Sequence, residues 1–162
     1  MTAPRDNAGV IAPPPLIAAA AIVAGLVLDR LLPAHVLTVL MDFSTRLVIA
    51  ILLVAAGGAL ALAAEMRFHR AGTATMPWKP ASALVTSGIY GYVRNPMYVG
   101  LGLVTVAVAL VLASDWTLVM LPPAAFVLHV GVVKREERYL AAKFGEPYRL
   151  YLSTVPRYGW PG

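Results

Sequence analysis

The sequence contains no cysteine, which excludes disulfides, thiol nucleophiles and thiolate metal sites. Histidine is scarce too. His35, His69 and His129 are scattered, with no His-x-x-x-His pair and no carboxylate cluster, so no metal site is expected. Charge is also thin. Only 13% of the 162 residues are charged, against about 25% in an ordinary soluble domain. No basic surface interleaved with aromatics runs for a useful length, so nucleic acid is not an expected partner. No internal repeat or low-complexity tract appears.

What the chain does have is apolar residues, 59% of the total. A single domain of this length can bury a core but cannot hide that much apolar surface from water, so the bilayer is its natural solvent. The pattern predicts an all-α integral membrane protein with about four spanning helices. The candidates are Leu16 to Leu32, Arg46 to Ala64, Tyr98 to Ala113 and Thr117 to Val133. Several lie near the lower limit of about 17 residues. Residues 1–15 read as a poorly ordered or interfacial start. Only Arg5 stands against Asp6 there, and no convincing cleavage site follows, which favours a span over a signal peptide. Ala55, Ala56, Gly57 and Gly58 suit close helix packing in lipid. Pro122 and Pro123 are expected to bend the fourth span early. Pro33 to Thr45 reads as a short connector, and Ser114 to Trp116 as a tight turn at the membrane interface. The whole chain reads as one domain. Residues 16–71 hold the first two spans, and residues 72–162 hold a polar functional half with C-terminal helices.

The net charge of +5 sits mostly in two segments. Between Glu65 and Met97, four cations face Glu65 alone. From Lys134 to Gly162, six cations face Glu136, Glu137 and Glu146. Positive segments stay in the cytoplasm, so both segments and both termini are expected there, at the inner membrane and against anionic headgroups.

Between the second and third spans lies the stretch on which the rest turns, SALVTSGIYGYVRNPMYVG, residues 82–100. Gly88 and Gly91 permit backbone shapes closed to other residues and let a ligand approach. Pro96 suits the first turn of the following helix, and helix N-termini favour anionic groups. A polar loop with Arg94 anchored at the membrane edge is the plainer reading of the same residues. The tail from Lys134 to Phe144 has helical spacing, with a stop at Gly145 and a restart at Glu146–Pro147. Tyr148 and Tyr151 fall on one face of that second tail helix. Glu136 follows an apolar run beside the membrane, where a lone acid needs a partner.

The box R-x-P-x-Y-x-G at Arg94 to Gly100, the Glu136–Glu137 pair and the tail F-G-x-x-Y-x-x-Y-x-x-x-V-P-R at Phe144 to Arg157 occur in this order. Together they resemble the isoprenylcysteine carboxyl methyltransferase family, part of a wider group of membrane methyltransferases that includes phospholipid N-methyltransferases. The resemblance covers about Gly72 to Arg157. It implies S-adenosylmethionine as cofactor and a lipid or lipidated acceptor. Carried over, the cofactor pocket would use Ser82, Ala83, Leu84, Val85, Tyr90, Asn95, Pro96, Met97, Tyr98 and Glu136. Glu136 could neutralise the cofactor's ammonium, and the helix N-terminus at Pro96 its carboxylate. Arg94 and Glu136 would serve catalysis, and Val132 stands at a position that faces the acceptor. From the residues themselves, Arg94 reads as an acceptor contact or as the ion-pair partner of a glutamate. His129, seven residues before Glu136 and on roughly the same helix face, reads as an acceptor contact or an interhelical hydrogen bond.

Two positions depart from the family pattern. Asn95 stands where the box usually has histidine, so that position cannot titrate near neutrality. Val132 stands where the prenylcysteine enzymes carry an arginine for the substrate carboxylate, and a valine cannot pair with one. A phospholipid amine is therefore an alternative acceptor. A membrane reductase using NADPH, which has a similar box and tail, and a non-catalytic scaffold are rival readings. Oligomeric state is left open.

Overall fold

The computed structural model describes residues 6–159. It is all-helical, with no strand among the described residues. Helix α1 spans Pro14–Leu31, α2 Val36–Leu40, α3 Phe43–Arg70 and α4 Pro96–Leu112. Helix α5 spans Asp115–Leu128, α6 Lys134–Phe144 and α7 Glu146–Thr154. By length and composition α1, α3 and the path from α5 into α6 can cross a membrane, and α4 is a 17-residue apolar helix between them. The apolar run of that last path ends at Val133, so the charged helix α6 lies beyond its spanning part. Helix α3 packs along α4, and α1 along α5.

Small residues let these pairs close. A Cβ on Gly57 of α3 would stand 2.7 Å from the Gly100 carbonyl oxygen of α4, so only glycine permits this approach. A Cβ on Gly58 would meet nothing, so only one of the two expected glycines is at the contact. Gly25 of α1 similarly abuts the backbone of Thr117 in α5. Outward-facing Leu47, Val48, Ile51 and Leu52 of α3 remain exposed, as side chains bathed by lipid would be.

One end of the bundle is held by polar contacts. Asp115 accepts from the Val36 and Leu37 amides, each at 3.0 Å, and so caps α2 inside the expected connector. Asp29 bonds the Ser114 hydroxyl, and the Trp116 indole donates to the Leu32 carbonyl at 2.7 Å. Arg46 is buried there and donates to the Leu110 carbonyl at 3.1 Å, at the α4 C-terminus, where the helix dipole favours a cation.

The other end is built from the last turns of α3, the start of α4 and the tail. The helix of the fourth span does not stop at Val133. A π-helical turn over His129–Val133 joins α5 to α6, making a continuous helical path from Asp115 to Phe144. Pro122 and Pro123 lie inside α5, which continues past them. Gly145, at φ +63°, ends α6, and Pro147 stands in the first turn of α7. Residues 6–13 are not a loose start. The Ile11 amide donates to the Gly131 carbonyl at 3.2 Å, and Arg135 donates to the Gly9 carbonyl at 2.8 Å. Residues 1–5 lie outside the described residues.

Candidate active site

Pro96 occupies the first turn of α4, as its fixed φ and missing N–H favour. The chain reaches it through a 3-10 turn at Gly88–Gly91. Gly88 has φ +65°, which favours glycine, and a Cβ there would also displace the Arg67 guanidinium. This turn buries Tyr90, whose ring meets Phe68 of α3 edge-on at 5.3 Å.

The tail fastens this elbow from outside. The Arg94 amide donates to the Pro156 carbonyl at 3.0 Å. The Asn95 amide and side-chain Nδ2 both donate to the Arg157 carbonyl, at 3.2 and 3.1 Å. Tyr151 donates its hydroxyl to the Tyr90 carbonyl at 2.7 Å. The V-P-R end of the tail motif is therefore the partner of the R-N-P box.

Between the elbow, the 74–85 loop and α6 lies a cavity of about 120 Å³. Of the expected cofactor residues, Ala83, Leu84, Val85, Tyr90, Asn95, Pro96, Met97, Tyr98 and Glu136 line it, as does Arg94. Three expected site residues do not. The Ser82 hydroxyl donates to the Gly72 carbonyl at 3.0 Å and its amide to the Thr73 hydroxyl, so Ser82 fastens the loop instead. Val132 is fully buried in packing. His129 bonds the Tyr158 hydroxyl through Nδ1 at 2.9 Å, away from the lining.

Electrostatics divide the two glutamates. Tyr98 donates its hydroxyl to both Glu136 oxygens, at 2.8 and 2.9 Å. Burial pushes the Glu136 carboxyl up to about 7; the Tyr98 bond opposes that rise and neighbouring Glu137 adds to it. Glu137 is neutralised instead. Arg157 grips it in a fork, Nε at 2.8 Å and Nη2 at 2.9 Å, and Arg94 Nη1 lies 3.0 Å from Oε1. That ion pair leaves Arg94 poorly satisfied. Its Nη1 is off the hydrogen-bonding direction to Glu137, and its buried Nε has no hydrogen-bond partner among the described residues. Burial raises the Tyr148 and Tyr151 phenols well above their ordinary range, so both are neutral rings in the cavity wall.

Sequence reasoning missed three contributors. Phe68 and Tyr139 line the cavity, and Tyr139 accepts the Ala81 amide at 3.0 Å. Arg157 pairs with Glu137 from the tail. Only the V-P-R motif hinted at the last.

Among known proteins, the Protein-S-isoprenylcysteine O-methyltransferase of Schizosaccharomyces pombe is 33% identical over 73 residues, 45% of this chain and 31% of that protein. The protein of the same name from Dictyostelium discoideum is 32% identical over 79 residues, 49% of this chain and 32% of its own. The matched region is thus about a third of the length of these curated relatives. No solved structure matches. Residues 45–147, which hold nearly all of α3 together with α4, the elbow and both glutamates, match the family described as phospholipid methyltransferase, and the chain belongs to that family.

Proposed function

We propose that the protein transfers a methyl group from S-adenosylmethionine to a lipophilic, membrane-borne acceptor. One observation carries this reading: an ionisable acid, Glu136, and an incompletely satisfied arginine, Arg94, line the same aromatic-walled cavity. The amino-acid end of the cofactor carries an ammonium and a carboxylate. Glu136 would take the ammonium, with Tyr98 fixing its rotamer. Arg94 Nε and the first turn of α4 at Met97 would take the carboxylate. Leu84 and Val85 give an apolar edge with backbone groups for the adenine, and Tyr90 and Tyr98 give aromatic surface near a cationic sulfur.

The cofactor supplies an activated methyl on sulfur. The chain's own part is positional: its residues hold the donor, admit the acceptor from lipid and keep water out. When bound, the cofactor would give up that methyl to the acceptor, the sulfur–methyl bond breaking as the acceptor–methyl bond forms. The positive charge of the loop and tail supports a site at the cytoplasmic face of the inner membrane.

The acceptor of the prenylcysteine enzymes is a carboxylate. Val132 is fully buried here and offers it nothing, so the second reading is a phospholipid amine. The experiment is calorimetric binding and thermal shift in detergent with S-adenosylmethionine, S-adenosylhomocysteine and NADPH. The first two are expected to bind and NADPH is not. Binding of NADPH alone would favour the reductase reading, and binding of none a scaffold. A labelled methyl donor supplied with a membrane lipid extract then identifies the acceptor.

A further inference from the structure

Beside the cavity lies a second hollow, an open cleft of about 360 Å³. Asn7, Ala8 and Gly9 form one wall; Arg135, Arg138 and Tyr139 of α6 form the other. Ala8 and Tyr139 also line the main cavity, so the two hollows share a partition.

The chemistry of the cleft is one-sided. Arg135 and Arg138, three positions apart, project from one face of α6. No carboxylate of the described residues lines the cleft. Neither arginine forms an ion pair among the described residues. Arg135 spends one donor on the Gly9 carbonyl, and Arg138 Nε reaches the Lys134 carbonyl at 3.3 Å. Asp6, next to Asn7 in the chain, is taken by Lys143 at 2.6 and 2.8 Å and by the Tyr139 hydroxyl at 2.8 Å. Two guanidinium groups therefore converge on a hollow that holds no counter-charge among the described residues.

Its depth matters as much as its charge. Val133 ends the apolar run. At about 1.5 Å per residue, Arg135 and Arg138 stand about 3 and 7.5 Å further along the helix, at headgroup level. Below them on the same helical path, Val127 and Val130 are exposed and give acyl chains an apolar wall. A guanidinium pair suits the oxygens of a phosphate diester, and a basic pocket at this level suits an anionic lipid.

We infer that this cleft binds the phosphate of an anionic phospholipid headgroup, held by Arg138 and Arg135. A bound headgroup bridges α6 and residues 7–9, steadying the partition it shares with the main cavity. The inference does not depend on methyl transfer.

The test is thermal unfolding of the full chain in nanodiscs of phosphatidylcholine, with or without phosphatidylglycerol. Phosphatidylglycerol is expected to raise Tm by about 3 °C. Arg138→Gln should lose that rise and keep the wild-type Tm in phosphatidylcholine alone. Arg149→Gln removes the same charge from the exposed face of α7 and should keep the rise. Equal loss in both variants would show diffuse attraction and overturn the site, as would no rise in the wild type. Inorganic phosphate producing the same shift in phosphatidylcholine would overturn the lipid as ligand. Arg135→Gln, which also releases Gly9, should lose the rise and lower Tm in either lipid.

Discussion

Tyr98 and Glu136 stand 38 positions apart and are joined by a forked hydrogen bond at 2.8 and 2.9 Å. The bond ties the first turn of α4 to α6 and aims a carboxylate along the cavity wall. If that carboxylate receives the donor's ammonium, Glu136→Ala should weaken S-adenosylhomocysteine binding about 10- to 100-fold, the range for a hydrogen bond between charged groups. Glu146→Ala, on the exposed start of α7, should leave affinity within about twofold. Tyr98→Phe should cost less than Glu136→Ala, because the acid stays in place. Calorimetry on the three variants checks the order, and normal binding by the Glu136→Ala variant ends the assignment.

The same carboxylate sets a pH dependence. With Glu136 held up to about 7 by burial, it is ionised before the ligand arrives only above that pH. Below it a proton must leave first, since the ammonium pairs with the charged form. Affinity should therefore be flat just above about 7 and fall towards tenfold per unit below it. Binding at about pH 6 should release a proton, seen as a calorimetric heat that changes with the buffer's ionisation enthalpy. Glu136→Gln should lose this slope. An affinity that stays level through this range would mean that Glu136 does not meet the ammonium.

The four apolar helices were legible because hydropathy and length are local properties, and Pro96, Gly145 and Pro147 fall where local backbone rules put them. Most of the cavity was legible through the motif resemblance. What stayed hidden depends on distant partners. The Asp6–Lys143 contact joins residues 137 positions apart, and no local signal marks residues 6–13 as fixed. The capping of α2 by Asp115 spans 79 positions. Ser82 looked like its loop neighbours, yet its hydroxyl points to the Gly72 carbonyl. The π-helical turn that carries α5 into α6 widens a helix without changing its apolar pattern, so nothing in the sequence marked it.

Glu137 predicts a structural defect where Glu136 predicts a binding one. It is the common counter-charge of Arg94 and Arg157 and is largely buried, while Arg157 is a third exposed. Removing it leaves Arg94 buried without compensation. For a fully buried pair that costs about 3–5 kcal/mol, and solvent around Arg157 reduces it to about 2 kcal/mol. Glu137→Ala should lower Tm by about 4–8 °C. Arg157→Gln should cost less, because Arg94 still faces Glu137. In the double variant the two losses should not add. Additive losses would show that the fork contributes nothing.

The contact between α3 and α4 offers a comparison of neighbouring residues. A Cβ on Gly57 would meet the Gly100 carbonyl oxygen at 2.7 Å, whereas one on Gly58 meets open space. The obstacle at Gly57 is backbone, which cannot rotate away as a side-chain tip can. Gly57→Ala must push the helices apart, at about 1–3 kcal/mol. Because α4 carries the elbow at its first turn, the shift should also reach the cavity and weaken S-adenosylhomocysteine binding. Gly58→Ala gains helix propensity at no steric cost and should leave Tm unchanged or slightly raised. Thermal unfolding and ligand titration of the two variants side by side separate close backbone approach from a general intolerance of alanine in α3. Equal behaviour of the pair would show that the glycine contact does not set the helix spacing.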